Sequence, residues 1–134
     1  MKKESQTYFF KKVVKIPIFY GNFVIIFSND VRAIQKVTKA NVDFTKFAFT
    51  FHDFPRNGTE SITIVFNFWL GEPVTLGTLM HEINHAGNRL MLSIGADPDY
   101  NNDESETYVK AWMADEVEDF MIKCKLLTKP NAKL

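Results

Sequence analysis

The chain has 134 residues, long enough for one domain with a real core and too short for two ordinary ones. Apolar residues make up 46% and aromatic residues 14%, with Phe alone contributing 13, which excludes a chain disordered throughout. Lys+Arg and Asp+Glu balance at 16 each, so charge gives no case for a nucleic-acid or membrane-surface partner.

Residues 1–6 read as a loose polar tail. Thr7 to Phe19 is β-branched and aromatic and predicts a strand, with Pro17 confining its end to a sheet edge or bulge. Tyr20-Gly21-Asn22 is a turn. Phe23 to Phe27 (FVIIF) is a continuous apolar run, a strand buried on both faces, and the two strands predict a hairpin. Ser28-Asn29-Asp30 is a cap signal, and Val31, Ala33, Ile34 and Val37 predict a short helix over Asp30–Lys39. Phe44 to Phe51 and Ser61 to Leu70 read as two further strands, separated by the turn Pro55-Arg56-Asn57-Gly58. Leu70-Gly71-Glu72-Pro73 ends the last of them.

Thr75 to Gly95 predicts a helix. Thr75 suits the N-cap and Gly95 a left-handed stop. Leu76, Met80, Ile83, Leu90, Met91 and Ile94 form its apolar stripe. Asp97 to Asp103 is turn chemistry. A last helix follows from about Asp103 to Lys125, and 128–134 is a polar tail. The order β-β-α-β-β-α-α predicts an α+β domain spanning 1–134, a small, mostly antiparallel sheet packed on the two C-terminal helices.

The first of those helices carries His81-Glu82-Ile83-Asn84-His85, the H-E-x-x-H pattern. Residues four apart share a helix face, so both imidazoles can meet one metal at the ~2.0–2.1 Å that zinc takes from nitrogen. Glu82 stands beside that face, where a carboxylate can take a proton from a zinc-activated water. Two of the three histidines in the chain lie here. A third ligand is required, and the first turn of the last helix offers Glu104 and Glu106. Successive helical residues differ by about 100°, so these two face nearly opposite ways and only one can reach a common ion. The helix dipole alone would also favour carboxylates in that turn.

With these residues in view, the chain resembles the zincin metallopeptidases, in the branch whose third ligand is a glutamate. MHEINHAGNRLMLSIG followed by NDESETYVKAWMADEV is similar to small zincin-like proteins of tailed bacteriophages. Their pattern is HE-x-x-HA, an apolar helix ending in Gly, then N-D-E with Tyr four residues after the Glu. His81, Glu82, His85, Ala86, Gly95, Glu104 and Tyr108 occupy those places here. The resemblance covers about the last third of the chain. It implies zinc on His81, His85 and Glu104, with Glu106 in reserve. It also implies Glu82 as the catalytic carboxylate and Tyr108 orienting Glu104 or packing beside it. Zincins set a sheet above the motif helix with an edge strand lining the cleft. By that analogy a strand between Phe44 and Leu70 pairs with an extended peptide.

The expected function is a zinc-dependent hydrolase of peptide or protein substrates. Its rivals are a non-catalytic zinc protein, as a virion component or an inhibitor of a host enzyme, and a metal-free fold. His52, beside Asp53, is a further substrate-binding candidate, although a lone histidine there is more often just hydrogen-bonded. The single Cys124 excludes an internal disulfide and reads as a small apolar residue of the last helix. No apolar run approaches the length of a membrane span, and the polar start is unlike a signal segment, so the expected location is cytoplasmic, in the host cell if phage-encoded, or on the virion.

Overall fold

The computed structural model describes residues 7–17, 21–38, 48–53, 60–67, 75–95 and 104–125. Its elements are β1 (Phe9–Lys15), β2 (Asn22–Ser28), α1 (Val31–Thr38), β3 (Ala48–Asp53), β4 (Ser61–Asn67), α2 (Leu76–Ser93) and α3 (Glu104–Lys123). The two tails, the Pro55–Gly58 turn and the Asp97–Asp103 connection lie outside the described residues, as do the expected strand beginnings and ends at 44–47 and 68–70.

The four strands lie in the order β1-β2-β4-β3. β1 and β2 form the expected antiparallel hairpin, with Phe9 opposite Ser28 and Lys15 opposite Asn22. β2 and β4 run parallel in the centre, and β3 returns antiparallel along β4. The fold is therefore α+β around a mostly antiparallel sheet. The parallel pair explains the composition of β2. Phe23, Val24, Ile25, Ile26 and Phe27 are all buried, because neighbouring strands and helices on both faces leave no solvated side. β1, at one edge, alternates instead: Lys11, Val13 and Lys15 look outward.

Alternation along the strands sorts the apolar residues into two cores. On one face Phe23, Ile25, Phe27, Ile62, Ile64 and Phe66 meet Ile83, Ala86 and Leu90 of α2 and Met113, Val117 and Met121 of α3. On the other, Val24, Ile26 and Val65 meet Ile34 of α1, with Phe49 and Phe51 of β3 alongside. Each large side chain fully buried in these layers contributes about 1.5–3 kcal/mol. Lys12 ties β1 to α3. Its ammonium lies 3.1 Å from Glu116 and 3.5 Å from Asp119, above the Phe120 ring.

The apolar stripe of α2 differs from the expected one. Leu76 is 73% exposed, Met80 46% and Ile94 40%, and of the expected stripe only Ile83 and Leu90 are buried. The face turned inward contains Glu82, Ile83, Ala86, Gly87 and Leu90, with Leu79 packed against the core. Small residues at Ala86 and Gly87 let the neighbouring layers approach that face closely. At Gly87 it is the stem of Lys110 that lies close, where an added Cβ would meet it. The ends follow expectation. Thr75 accepts from the backbone N–H of Thr78, and Gly95 takes a positive φ of 76°.

Candidate metal centre

The helical spacing of His81 and His85 does what a four-residue interval allows. Both side chains are exposed, their rings meet edge to face at 4.6 Å, and their Nε2 atoms are 3.1 Å apart. One ring nitrogen donates to the other in this state. Two nitrogens bound at zinc's usual distance with a tetrahedral angle stand about 3.3 Å apart. The observed separation is thus close to the bite of a zinc-binding pair, with no rearrangement of the helix.

Glu82 projects on the other side of the pair, into the structure. It is 5% exposed, and its carboxylate accepts a hydrogen bond of 2.7 Å from the hydroxyl of Thr50. That hydroxyl also lies 3.3 Å from the backbone carbonyl of Glu82. Thr50 belongs to β3, an edge strand of the sheet, so the motif glutamate and a sheet edge are joined directly. The sequence reading missed Thr50. Its only advance signal was its polarity in an aromatic strand, and its reach to Glu82 depends on the packing of α2 on β3.

His52 shares the Thr50 face of β3, two residues along. Its side chain is 7% exposed and its Nε2 makes a close hydrogen-bond contact with the carboxylate of Glu60, just before β4. It is therefore a hydrogen-bonded histidine held within the sheet layer. Glu60 was not singled out in the sequence, because the β3–β4 register alone brings it to His52.

The carboxylates of α3 have separate settings. Glu106 lies 2.7 Å from the ammonium of Lys110, one turn along its own helix. The same ammonium lies 2.7 Å from Asn84 Oδ1, inside the motif. The stem of Lys110 crosses Gly87, where an added Cβ would come within 2.5 Å of Lys110 Cγ. Glu104 is exposed and lines a cavity with Tyr108, Trp112, Ile16 and Pro17. Among the described residues, no group of three or more His, Cys, Asp and Glu side chains is assembled to hold a metal ion. The structure thus brings His81 and His85 together, turns Glu82 inward to Thr50, and leaves Glu104 and Glu106 in other company. Among the described residues, the two imidazoles are the only candidate ligands that stand together.

Compared with known protein families, with curated proteins and with solved structures, the chain matches none. No described helix is long and apolar enough to cross a membrane.

Proposed function

We propose that this chain is a zinc-dependent hydrolase of the metallopeptidase type, acting on peptide or protein. The observation that carries the reading is the His81–His85 pair, with Nε2 atoms 3.1 Å apart on an exposed helix face and a buried glutamate between them in sequence. Bound zinc would supply an acidified water, with a pKa of about 7, and polarise a scissile carbonyl.

The residues then have distinct tasks. His81 and His85 offer their Nε2 lone pairs, which requires that the ring protons sit on Nδ1. Glu82 accepts the proton of the attacking water and passes it to the leaving amine. Thr50 holds one oxygen of that carboxylate, restricting its rotation. Glu104 would be the third donor, with Glu106 in reserve and Tyr108 beside Glu104. The edge strand β3, unpaired on its outer side among the described residues, would take an extended peptide, with His52 as a further substrate-binding candidate on the same strand. The likeness of the C-terminal third to phage zincin-like proteins supports a phage origin, and with it action in the host cytoplasm or on the virion.

Elemental analysis of tag-free protein, together with hydrolysis of a peptide and peptidoglycan panel, tests the reading. One zinc per chain is expected, with activity reduced at least about 10²-fold in Glu82→Gln. Equal activity in wild type and Glu82→Gln would end it. A second reading, a zinc protein without catalysis, is favoured by the burial of Glu82 and the engagement of its carboxylate by Thr50. Zinc at one per chain with no hydrolysis dependent on Glu82 would select that reading.

A further inference from the structure

The end of β1 and the start of α3 enclose a cavity of about 320 Å³. Its wall is formed by Ile16, Pro17, Glu104, Tyr108, Val109 and Trp112, and Ser105 completes the rim. That volume falls at the small end of the range for ligand sites, about 300–1,000 Å³. The wall is preformed where it matters. Ile16 is 3% exposed, and the Trp112 ring is backed by Phe23 at 5.8 Å between centroids.

Two features give the cavity a chemical preference. Glu104 is the sole charged side chain among the described lining residues, so the charge those residues bring to the cavity is negative. Tyr108, one turn after Glu104 on the same helix face, is 74% exposed. An aromatic face beside a carboxylate is a receptor for a cation carried on an apolar body, through charge-assisted hydrogen bonding and cation–π attraction.

We propose that the cavity between β1 and α3 binds a compact organic cation, an ammonium or guanidinium on an aromatic or aliphatic body. Glu104 takes the charge, while Tyr108 and Trp112 cover the body. A free amine and the side chain of a Lys or Arg in a peptide share this chemistry. The site needs Glu104 where the metal-free structure has it, so it belongs to the metal-free chain, and a zinc ion that drew Glu104 to the imidazoles would take the site's charge away.

Calorimetric titration of the full, chelator-treated chain decides the matter. The probes are 2-phenylethylammonium, 2-phenylethanol, 3-phenylpropionate and a blocked Phe-Lys dipeptide. The ammonium should bind about five- to tenfold tighter than the alcohol, and the carboxylate weakest. Glu104→Gln should abolish the preference while leaving alcohol binding unchanged, and Tyr108→Ala should weaken all probes. Both substitutions are on exposed side chains, and circular dichroism confirms that the variants are folded. Tighter binding of the dipeptide than of the free amine assigns the site to a peptide side chain, and the reverse to a free amine. Equal affinity for ammonium and alcohol, a preference that survives Glu104→Gln, or no binding at millimolar concentration would overturn the proposal.

Discussion

The hydroxyl of Thr50 on β3 donates to the buried carboxylate of Glu82 on α2 across 2.7 Å. This bond joins an edge strand of the sheet to the centre of the HEINH motif. A carboxylate only 5% exposed loses much of its hydration, so its donor matters more than a surface donor would. Thr50→Val keeps the shape and removes the donor. It should destabilise the fold by about 1–3 kcal/mol in urea denaturation, while Thr50→Ser should recover most of the loss. Equal stability in all three proteins would show that Glu82 is satisfied without Thr50.

The 3.1 Å approach of His81 and His85 leads to a prediction about zinc. A ligand that binds only the folded chain raises its stability by about 2.7 kcal/mol at one hundred times its Kd. Zinc should therefore raise the melting temperature of wild type, and His81→Ala or His85→Ala should each abolish the shift. Glu104→Gln should reduce the shift if that carboxylate completes the donor set. A zinc response that persists without both imidazoles would move the metal elsewhere.

Gly87 and Lys110 make a coupled pair at the α2–α3 contact. Alanine in a helix interior is favoured over glycine by about 0.8–1 kcal/mol. At Gly87 that gain is opposed, because the new Cβ would meet Lys110 Cγ at 2.5 Å and Cε at 2.8 Å. Moving the lysine stem disturbs its bonds to Asn84 and Glu106. Gly87→Ala should therefore change wild-type stability little, yet stabilise a Lys110→Ala background by about 0.5–1 kcal/mol. The same effect in both backgrounds would show that the two residues are independent.

Asp119 is held below the ordinary aspartate range by its hydrogen bond to Lys123, with Lys12 adding to the effect. A depressed carboxylate contributes stability above its unfolded pKa and loses it as pH falls through the lower folded value. The difference in urea midpoint between wild type and Asp119→Asn should thus be present at neutral pH. It should vanish as pH drops below the usual aspartate value of about 3.9. Because Asp119 is exposed, about 1 M salt should shrink the difference at neutral pH as well. A difference that holds at low pH would assign the effect to packing.

Much of the fold was legible along the chain because its signals are local. The apolar run Phe23–Phe27, the caps Thr75 and Gly95, and the turn at Gly21 each act within a few residues. The His81–His85 pairing was legible for the same reason, since four residues of helix fix the geometry. The partners of the motif were not legible. Thr50 reaches Glu82, Glu60 reaches His52 and Lys110 reaches Asn84 through layer packing and strand register, which have no trace in sequence spacing.

The amino-acid order by itself determined that this is an α+β domain with two imidazoles on one turn of helix, because helical period and strand alternation follow from adjacent residues. Tertiary structure alone decided that Glu82 points inward to the sheet edge and that Glu104 stands in a cavity with Tyr108 and Trp112. It decided these because both depend on how α2 packs on β3 and on contacts between residues far apart in the chain. The packing of the start of α3 beside the end of β1 then defines what its first turn touches.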